Sequence, residues 1–253
     1  PHTPTSPHPY FQGKTDLGVY GDFVHETDYC LVSTMEALQK HGIDDNTIVI
    51  FTSDHGPAPY AGNILEATYN NIKGLEKQGH YPSGPLRGYK FSVYEGGMRI
   101  PFLIKWPNHI KPGSTCDRLI GLNDLLATIA EITGSELSKN QGVDSISYLP
   151  LLRDPNARAP RQNLQMQGTH GWAYRMGDWK LCLCPGSGAL GVYGNVPKPV
   201  DAWPAAVKKF GNNPTREQLI EAPFVQLFNL KEDLGEMEDV SKQNPNVVKQ
   251  MYE

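Results

Sequence analysis

A chain of 253 residues, 39% hydrophobic and 20% charged, is long enough for a sizeable core and has the balance of a globular protein. Its net charge of −4 excludes a global field attractive to nucleic acid or to an anionic membrane surface, so an anionic substrate must be held by a local cluster of cations. No run approaches the roughly 18 consecutive apolar residues of a membrane-spanning helix.

The opening PHTPTSPHPYF reads as neither a targeting segment nor an initiator sequence, and residues 1–18 read as loop. From Tyr20 to His41, Val24, Asp28, Leu31, Met35 and Leu38 recur at alternating spacings of four and three, predicting a helix that Gly42 stops. Asp28 interrupts its apolar face and reads as a paired structural carboxylate. After Asp44-Asp45-Asn46, the β-branched run TIVIFT (residues 47–52) predicts a strand buried on both faces, as in a parallel sheet. A Gly- and Pro-rich loop is expected from Asp54 to about Arg99, and its aromatics and charges mark it as functional. IPFLIKW (residues 100–106) predicts a second buried strand, and Asn123 a cap for the helix NDLLATIAEITG, closed by Gly134.

The pattern changes after about Leu152. WAYRMGDWKLCLC predicts a hairpin turning at Gly177-Asp178, FVQLFNL another strand, and NPNVVKQMYE a terminal helix. The predicted fold is α/β: part of a mixed, mostly parallel sheet flanked by helices over residues 1–152, then a small α+β subdomain of antiparallel strands plus a helix over 153–253. Cys30, Cys116, Cys182 and Cys184 lack a zinc-ribbon spacing. Cys182 and Cys184 flank Leu183 and share a face; small buried side chains, or one disulfide elsewhere, account for the four.

Three stretches can carry chemistry. Asp54-His55-Gly56 follows a buried strand, at the end where α/β sheets place ligands. Asp54 offers hard oxygen to a divalent cation and His55 a nitrogen or a substrate contact, but a turn-capping Asp beside a loop His explains the tripeptide equally well. In PLRGYKFSVYEGGMRIPFLIKWP (residues 85–107), Arg87, Lys90 and Arg99 lie near Glu95 and Gly96-Gly97. A desolvated ammonium stabilises charge on an oxyanion. Glu95 and Arg99 read as a structural ion pair, and spacing does not decide Lys90. In PHTP, His2 is held on a stiff backbone as a potential acid or anion contact, which the residue pattern alone does not select.

In order, PHTP, YGDFVHETD, DNTIVIFTSDHG, LRGYK with YEGGMRIPFLIKWP, AYRMGDWKL and QLFNLKEDLGEMEDVSKQNP resemble the C-terminal portion of the type I sulfatases, arylsulfatase-like members of the alkaline phosphatase superfamily. The resemblance covers nearly the whole chain. It implies Asp54 as an acidic calcium ligand, with His55 beside the same metal and the sulfate. It implies Lys90 as a sulfate contact that helps the alkoxide leave, and His2 as proton donor to the leaving alcohol. His170 and Arg175 would reach the substrate rim, as would Trp172, for which strand packing is an equal explanation. The implied reaction is S–O cleavage of a sulfated sugar or small molecule by a hydrated formylglycine.

The family's nucleophile pattern, Cys or Ser followed by x-Pro-x-Arg, is read as absent from the 253 residues, with Cys30, Cys116 and Cys184 each failing it, so no nucleophile is assigned to this chain. The family's N-terminal acidic metal ligands, helper lysine and first active-site histidine also lack counterparts. The formylglycine and these ligands are expected in an N-terminal part, and the isolated chain is expected to be inactive and to bind calcium weakly. It is also expected to self-associate through strand edges and apolar faces. A two-metal phosphodiesterase or phosphomutase of the same superfamily, or a non-catalytic sugar-binding remnant, are the competing readings. A periplasmic, secreted or lysosomal location is implied by family analogy alone.

Overall fold

The structure, a computed structural model, describes residues 2, 4–61, 71–184, 186–189 and 224–253. Helix α1 (Gly18–Lys40) ends in a paired backbone cap. Gly42 turns left-handed (φ 64°), its N–H donates to Gln39 O at 3.0 Å, and that of Ile43 donates to Leu38 O at 3.1 Å. The face foreseen for α1 is only partly covered: Leu31, Met35 and Leu38 are half-buried, while Val24 and Asp28 are exposed. Asp28 points to solvent, which corrects its reading as a paired carboxylate. That role belongs to Asp22, buried in the same helix, whose carboxylate accepts the N–H groups of Gly13, Lys14 and Thr15 at 2.7, 3.0 and 2.9 Å. It fastens the N-terminal loop to α1.

Strands β1 (Val49–Thr52) and β2 (Phe102–Lys105) pair with Val49 opposite Lys105 and Thr52 opposite Phe102. The mixed α/β class is as expected, but this pair runs antiparallel and its side chains are half-buried or, at Leu103, exposed. An apolar run encodes burial and not the direction of its neighbour, so the parallel arrangement did not follow from it. The segment after Asp54 is not all loop. It contains α2 (Asn71–Lys77) and the short α3 (Glu95–Met98), and residues 62–70 lie outside the described part. Ile72 and Leu75 of α2 are buried with Tyr20, Ala58, Ala61 and Tyr89.

Helix α4 (Asp124–Thr133) closes on left-handed Gly134 (φ 67°), as expected. Asn123 occupies the cap position, yet its side-chain amide donates to Asp144 O at 2.7 Å instead of capping. Buried Asp124 holds Arg161 at both carboxylate oxygens, 2.8 Å from Nε and 2.5 Å from Nη2, just before the C-terminal sheet; α5 (Leu149–Arg153) precedes it.

That sheet has the order β3 (Asn163–Gln167), β4 (Trp172–Met176), β5 (Trp179–Leu183), β6 (Val225–Asn229), with antiparallel neighbours throughout. The foreseen hairpin turns at Gly177-Asp178, with Met176 opposite Trp179 and left-handed Gly177 (φ 58°) first in the turn. One face packs Leu181 and Leu227 on Met251 of the terminal helix α6 (Pro245–Tyr252). The other packs Ala173, Cys182, Cys184 and Phe228 on Val93 and Tyr94. Both cysteines are therefore small buried side chains, and all four cysteines are free. Residues 93–95 thus lie between the C-terminal sheet and the end of β1. Residues 190–223 lie outside the described part.

Candidate active site

Strand β1 delivers the chain to Ser53-Asp54-His55-Gly56-Pro57. Two backbone hydrogen bonds clamp this loop to the segment that follows α2: Gly56 N–H donates to Gly97 O and Lys90 N–H to Pro57 O, both at 2.9 Å. The approach requires glycine on both sides. A Cβ at Gly56 would stand 1.8 Å from Gly96 O, and one at Gly96 would stand 2.1 Å from Gly88 O. The Gly-Gly pair is thus explained by backbone pressed on backbone.

Asp54 is 82% exposed, with Oδ2 3.2 Å from His55 Nε2 and Oδ1 accepting the His55 N–H at 3.1 Å. His55 Nδ1 lies 2.8 Å from Gly56 O. A carbonyl only accepts, so that nitrogen carries a proton, and the other ring nitrogen, Nε2, faces the Asp54 carboxylate. Among the described residues no three His, Cys, Asp or Glu side chains converge on one point. Calcium takes about six to eight oxygens, so Asp54 and His55 are at most part of a ligand set and do not form a calcium site by themselves.

The other two predicted stretches meet at a residue the sequence did not single out. Lys90 Nζ donates to Tyr60 Oη at 3.0 Å, and Tyr60 Oη is 2.7 Å from His2 Nε2. The rings of His2 and Tyr60 meet edge-on at 5.1 Å, and Lys90 Nζ lies 5.3 Å from the centre of the Phe91 ring. Phe91 holds a left-handed backbone (φ 82°), an uncommon state for a bulky residue, and its carbonyl accepts the Thr169 N–H at 3.0 Å. His170 is therefore on the β3–β4 turn that rests on Phe91, exposed at the surface, its own N–H donating to Gly188 O at 2.7 Å. The signal for Tyr60 was an aromatic at the end of DHGPAPY, a few residues after the Asp-His pair.

Arg175 goes elsewhere. In the hairpin it is opposite Lys180, on the face shared with Ala173 and Cys182, and its Nη1 lies 3.7 Å from Glu95 Oε2. The register turns it inward to a buried carboxylate instead of the substrate rim. Lys180, fully buried, donates to Glu95 Oε1 at 2.9 Å, and its Nζ is also 2.9 Å from Glu236 Oε1, ion-paired but off the hydrogen-bond direction. Arg99 Nη1 is 3.8 Å from Glu95 Oε2, the structural pair foreseen. Glu236 Oε2 accepts the Glu95 N–H at 2.5 Å, and its carbonyl accepts from Arg87, whose guanidinium lies over the Tyr94 ring.

Burial pushes Glu95 toward its neutral form, but Lys180, Arg175 and Arg99 outweigh it and hold the carboxyl below its usual range. For Lys180 burial opposes the charge, and Glu236 and Glu95 more than offset it, holding the ammonium above its usual range. Glu236 is the weaker acid of the cluster: burial, aided by the Glu95 carboxylate, lifts it to about 7 against the pull of Lys180.

One stretch, Ser83-Gly84-Pro85-Leu86-Arg87, does match the serine form of the nucleophile pattern, which corrects the reading that the pattern is absent. The structure gives these residues other partners. Ser83 Oγ donates to Gly88 O at 3.1 Å and approaches Gly96 O at 3.4 Å, and Arg87 is buried against Glu236 and Tyr94. Ser83 braces the glycine turn.

A sequence model of the sulfatase family matches residues 1–135, more than half of the chain. The N-acetylgalactosamine-6-O-sulfatase of Bacteroides thetaiotaomicron is 31% identical over 252 residues, which is 100% of this chain and 44% of that protein. The human N-acetylgalactosamine-6-sulfatase is 33% identical over 151 residues, 60% of this chain and 26% of that protein. A solved structure described under the metabolism of multiple glycosaminoglycans by B. thetaiotaomicron has a TM-score of 0.78 at 30% identity, covering 99% of this chain and 46% of that one. The chain thus spans less than half the length of these relatives. A family match over most of the N-terminal portion, and a relative aligned from end to end, lead to one conclusion: the chain belongs to the sulfatase family.

Proposed function

We propose that the whole protein is a sulfuric ester hydrolase acting on a sulfated carbohydrate, and that this chain supplies the side of the site that receives the leaving alcohol. The observation that carries the reading is the convergence of His2, Tyr60 and Lys90 beside the clamped Asp54–Pro57 loop. Lys90 brings a fixed positive charge to the sulfate and to the bridging oxygen as negative charge develops there. His2 supplies a proton to the leaving alcohol. His170, on the turn above Phe91, is positioned to meet the sugar. Two relatives are named for a 6-sulfated N-acetylgalactosamine, which supports that substrate class.

A formylglycine nucleophile and a calcium ion belong to the same reading, with Asp54 as one oxygen donor; further donors and the nucleophile are expected outside these 253 residues. Alone, the chain is expected to show no turnover. It is also expected to self-associate, since Val24, Tyr29 and Val32 on α1, Leu103 on β2 and Leu126 and Ile129 on α4 are exposed.

The test is sulfate release by the full-length protein from a 6-O-sulfated N-acetylgalactosamine saccharide, beside hydrolysis of a phosphodiester. Sulfate release that falls about 10²- to 10³-fold in Lys90→Ala is the expected result. Phosphodiester hydrolysis with no sulfate release overturns the reading.

A further inference from the structure

The turn that carries Lys90 holds a side chain where glycine is the usual choice. Ser92 N–H donates to Tyr89 O at 3.0 Å, and Phe91 is left-handed (φ 82°) while Lys90 is not. Residues 89–92 therefore form a type II turn with Lys90 second and Phe91 third. The third position favours glycine because a Cβ is crowded there, so a bulky residue is strained. Its neighbours enforce that state. Lys90 N–H donates to Pro57 O at 2.9 Å, Phe91 O accepts the Thr169 N–H at 3.0 Å, and Val93 N–H donates to Ser187 O at 2.9 Å. Gly168 closes the grip, since a Cβ there would stand 2.7 Å from Phe91 O. Glycine at position 91 would meet each of these backbone demands without strain, so the backbone does not account for the ring.

The surroundings of the ring do. The ammonium of half-buried Lys90 lies beside two aromatic rings, 5.3 Å from the centre of Phe91 and 5.6 Å from that of Tyr60, and the two centres are 6.3 Å apart. Both distances fall within the roughly 6 Å over which a ring face attracts a cation. Among the described residues, Phe91 joins neither packed face of the C-terminal sheet nor the cluster of Tyr20 and Leu75. Resting on the sulfate-ester reading, we propose that Phe91 is a positioning residue whose ring, with that of Tyr60, brackets the Lys90 ammonium. A long and flexible side chain is thereby held in one place before the substrate arrives. The rings also keep water from part of the ammonium, so its charge acts more strongly on the oxygen where negative charge develops. The strained turn follows from placing a ring at the residue next to the lysine.

The experiment uses the full-length protein with Phe91→Gly, which removes the ring and takes φ 82° without strain, and with Phe91→Tyr, which keeps the ring. On a 6-O-sulfated N-acetylgalactosamine saccharide, kcat of Phe91→Gly is expected to fall about 10- to 30-fold with KM changed less than about threefold, while Phe91→Tyr holds within about threefold. Made in Lys90→Ala, Phe91→Gly should lower kcat by less than about a further threefold, because the group it positions is gone. Equal kcat losses in both backgrounds would assign the ring to packing, and a KM rise that persists in Lys90→Ala would assign it to the sugar; either overturns the proposal. An unchanged kcat in Phe91→Gly, or an equal loss in Phe91→Tyr, also overturns it. The NMR signal of the Lys90 ε-methylene, identified by its loss in Lys90→Ala, is independent of turnover. Ring currents should shift it upfield of the exposed lysines in the wild type, and less so in Phe91→Gly. A wild-type signal among the exposed lysines overturns the proposal even if the variant fails to fold, as does an unmoved signal in a folded variant. Absence of sulfate release from the wild type would sink the sulfatase reading, while this shift still decides whether the rings bracket the ammonium.

Discussion

Lys180 Nζ lies 2.9 Å from Glu95 Oε1, and this contact fastens strand β5 to the glycine turn that presses on Gly56. Both side chains are buried. A buried ion loses its hydration, and its partner repays that only while present. Lys180→Met leaves Glu95 and Glu236 facing each other without the cation and is expected to cost about 3–5 kcal/mol of stability. Adding Glu95→Gln to Lys180→Met should recover part of the loss. Urea unfolding of the two variants checks both expectations, and a loss below about 1 kcal/mol for Lys180→Met would show that the cluster does not hold the turn.

The same cluster sets a pH dependence with two signs. Glu236 is lifted by burial from 4.5 to about 7, so between those values the folded chain keeps a proton that the unfolded chain releases. Its contribution to stability is full below about pH 4.5 and is lost as the pH rises through about 7. Glu95 behaves oppositely: its lowered carboxyl contributes stability above its ordinary value, and this is lost as the pH falls through the folded one. Glu236→Gln should therefore flatten the wild-type decline between about pH 5 and pH 7, a change on the order of 2–3 kcal/mol, and leave the acid limb in place. Urea midpoints across this range decide it. An unaltered slope would mean that Glu236 stays ionised when folded.

What could be read from the sequence followed its local chemistry. The hairpin at Gly177 was legible because turn chemistry and alternation agree there, and the helix stops because Gly42 and Gly134 each have to turn left-handed. Lys90 and His2 entered through a family resemblance, and geometry then brought them together. Tyr60 stayed hidden because its role arises only when segments 58 and 30 residues away meet at its hydroxyl. Arg175 shows the opposite lesson. Strand parity places it on the inward face with Ala173 and Cys182, so carrying the hairpin register through would have pointed it at a buried anion. The antiparallel pairing of β1 with β2 was beyond local reading, since apolar runs specify burial and not direction.

Gly56 offers a test of the clamp between the Asp54 loop and the Lys90 segment. A methyl group there would lie 1.8 Å from Gly96 O, which belongs to a backbone and has nowhere to move, because a Cβ at Gly96 would itself meet Gly88 O. Gly56→Ala must push the loops apart, at about 3 kcal/mol. In the full-length protein the expected result is a loss of turnover beyond the loss of stability, since Asp54 and Lys90 lose their common frame. Wild-type stability in Gly56→Ala, measured by thermal or urea unfolding, would contradict the close approach.

Ser83 separates a pattern match from a chemical role. Its hydroxyl is occupied by the carbonyls of Gly88 and Gly96, and the arginine that completes the pattern, Arg87, is committed to the Glu236 carbonyl and the Tyr94 ring. A nucleophile needs a hydroxyl open to substrate and a group to take its proton. Ser83 faces backbone acceptors instead. Ser83→Ala should therefore cost about 1 kcal/mol of stability for one lost hydrogen bond and leave kcat of the full-length protein within about threefold. Removing a true nucleophile lowers kcat on the order of 10⁶-fold, so a loss of that size in a folded Ser83→Ala protein would make Ser83 the attacking residue and displace the formylglycine reading.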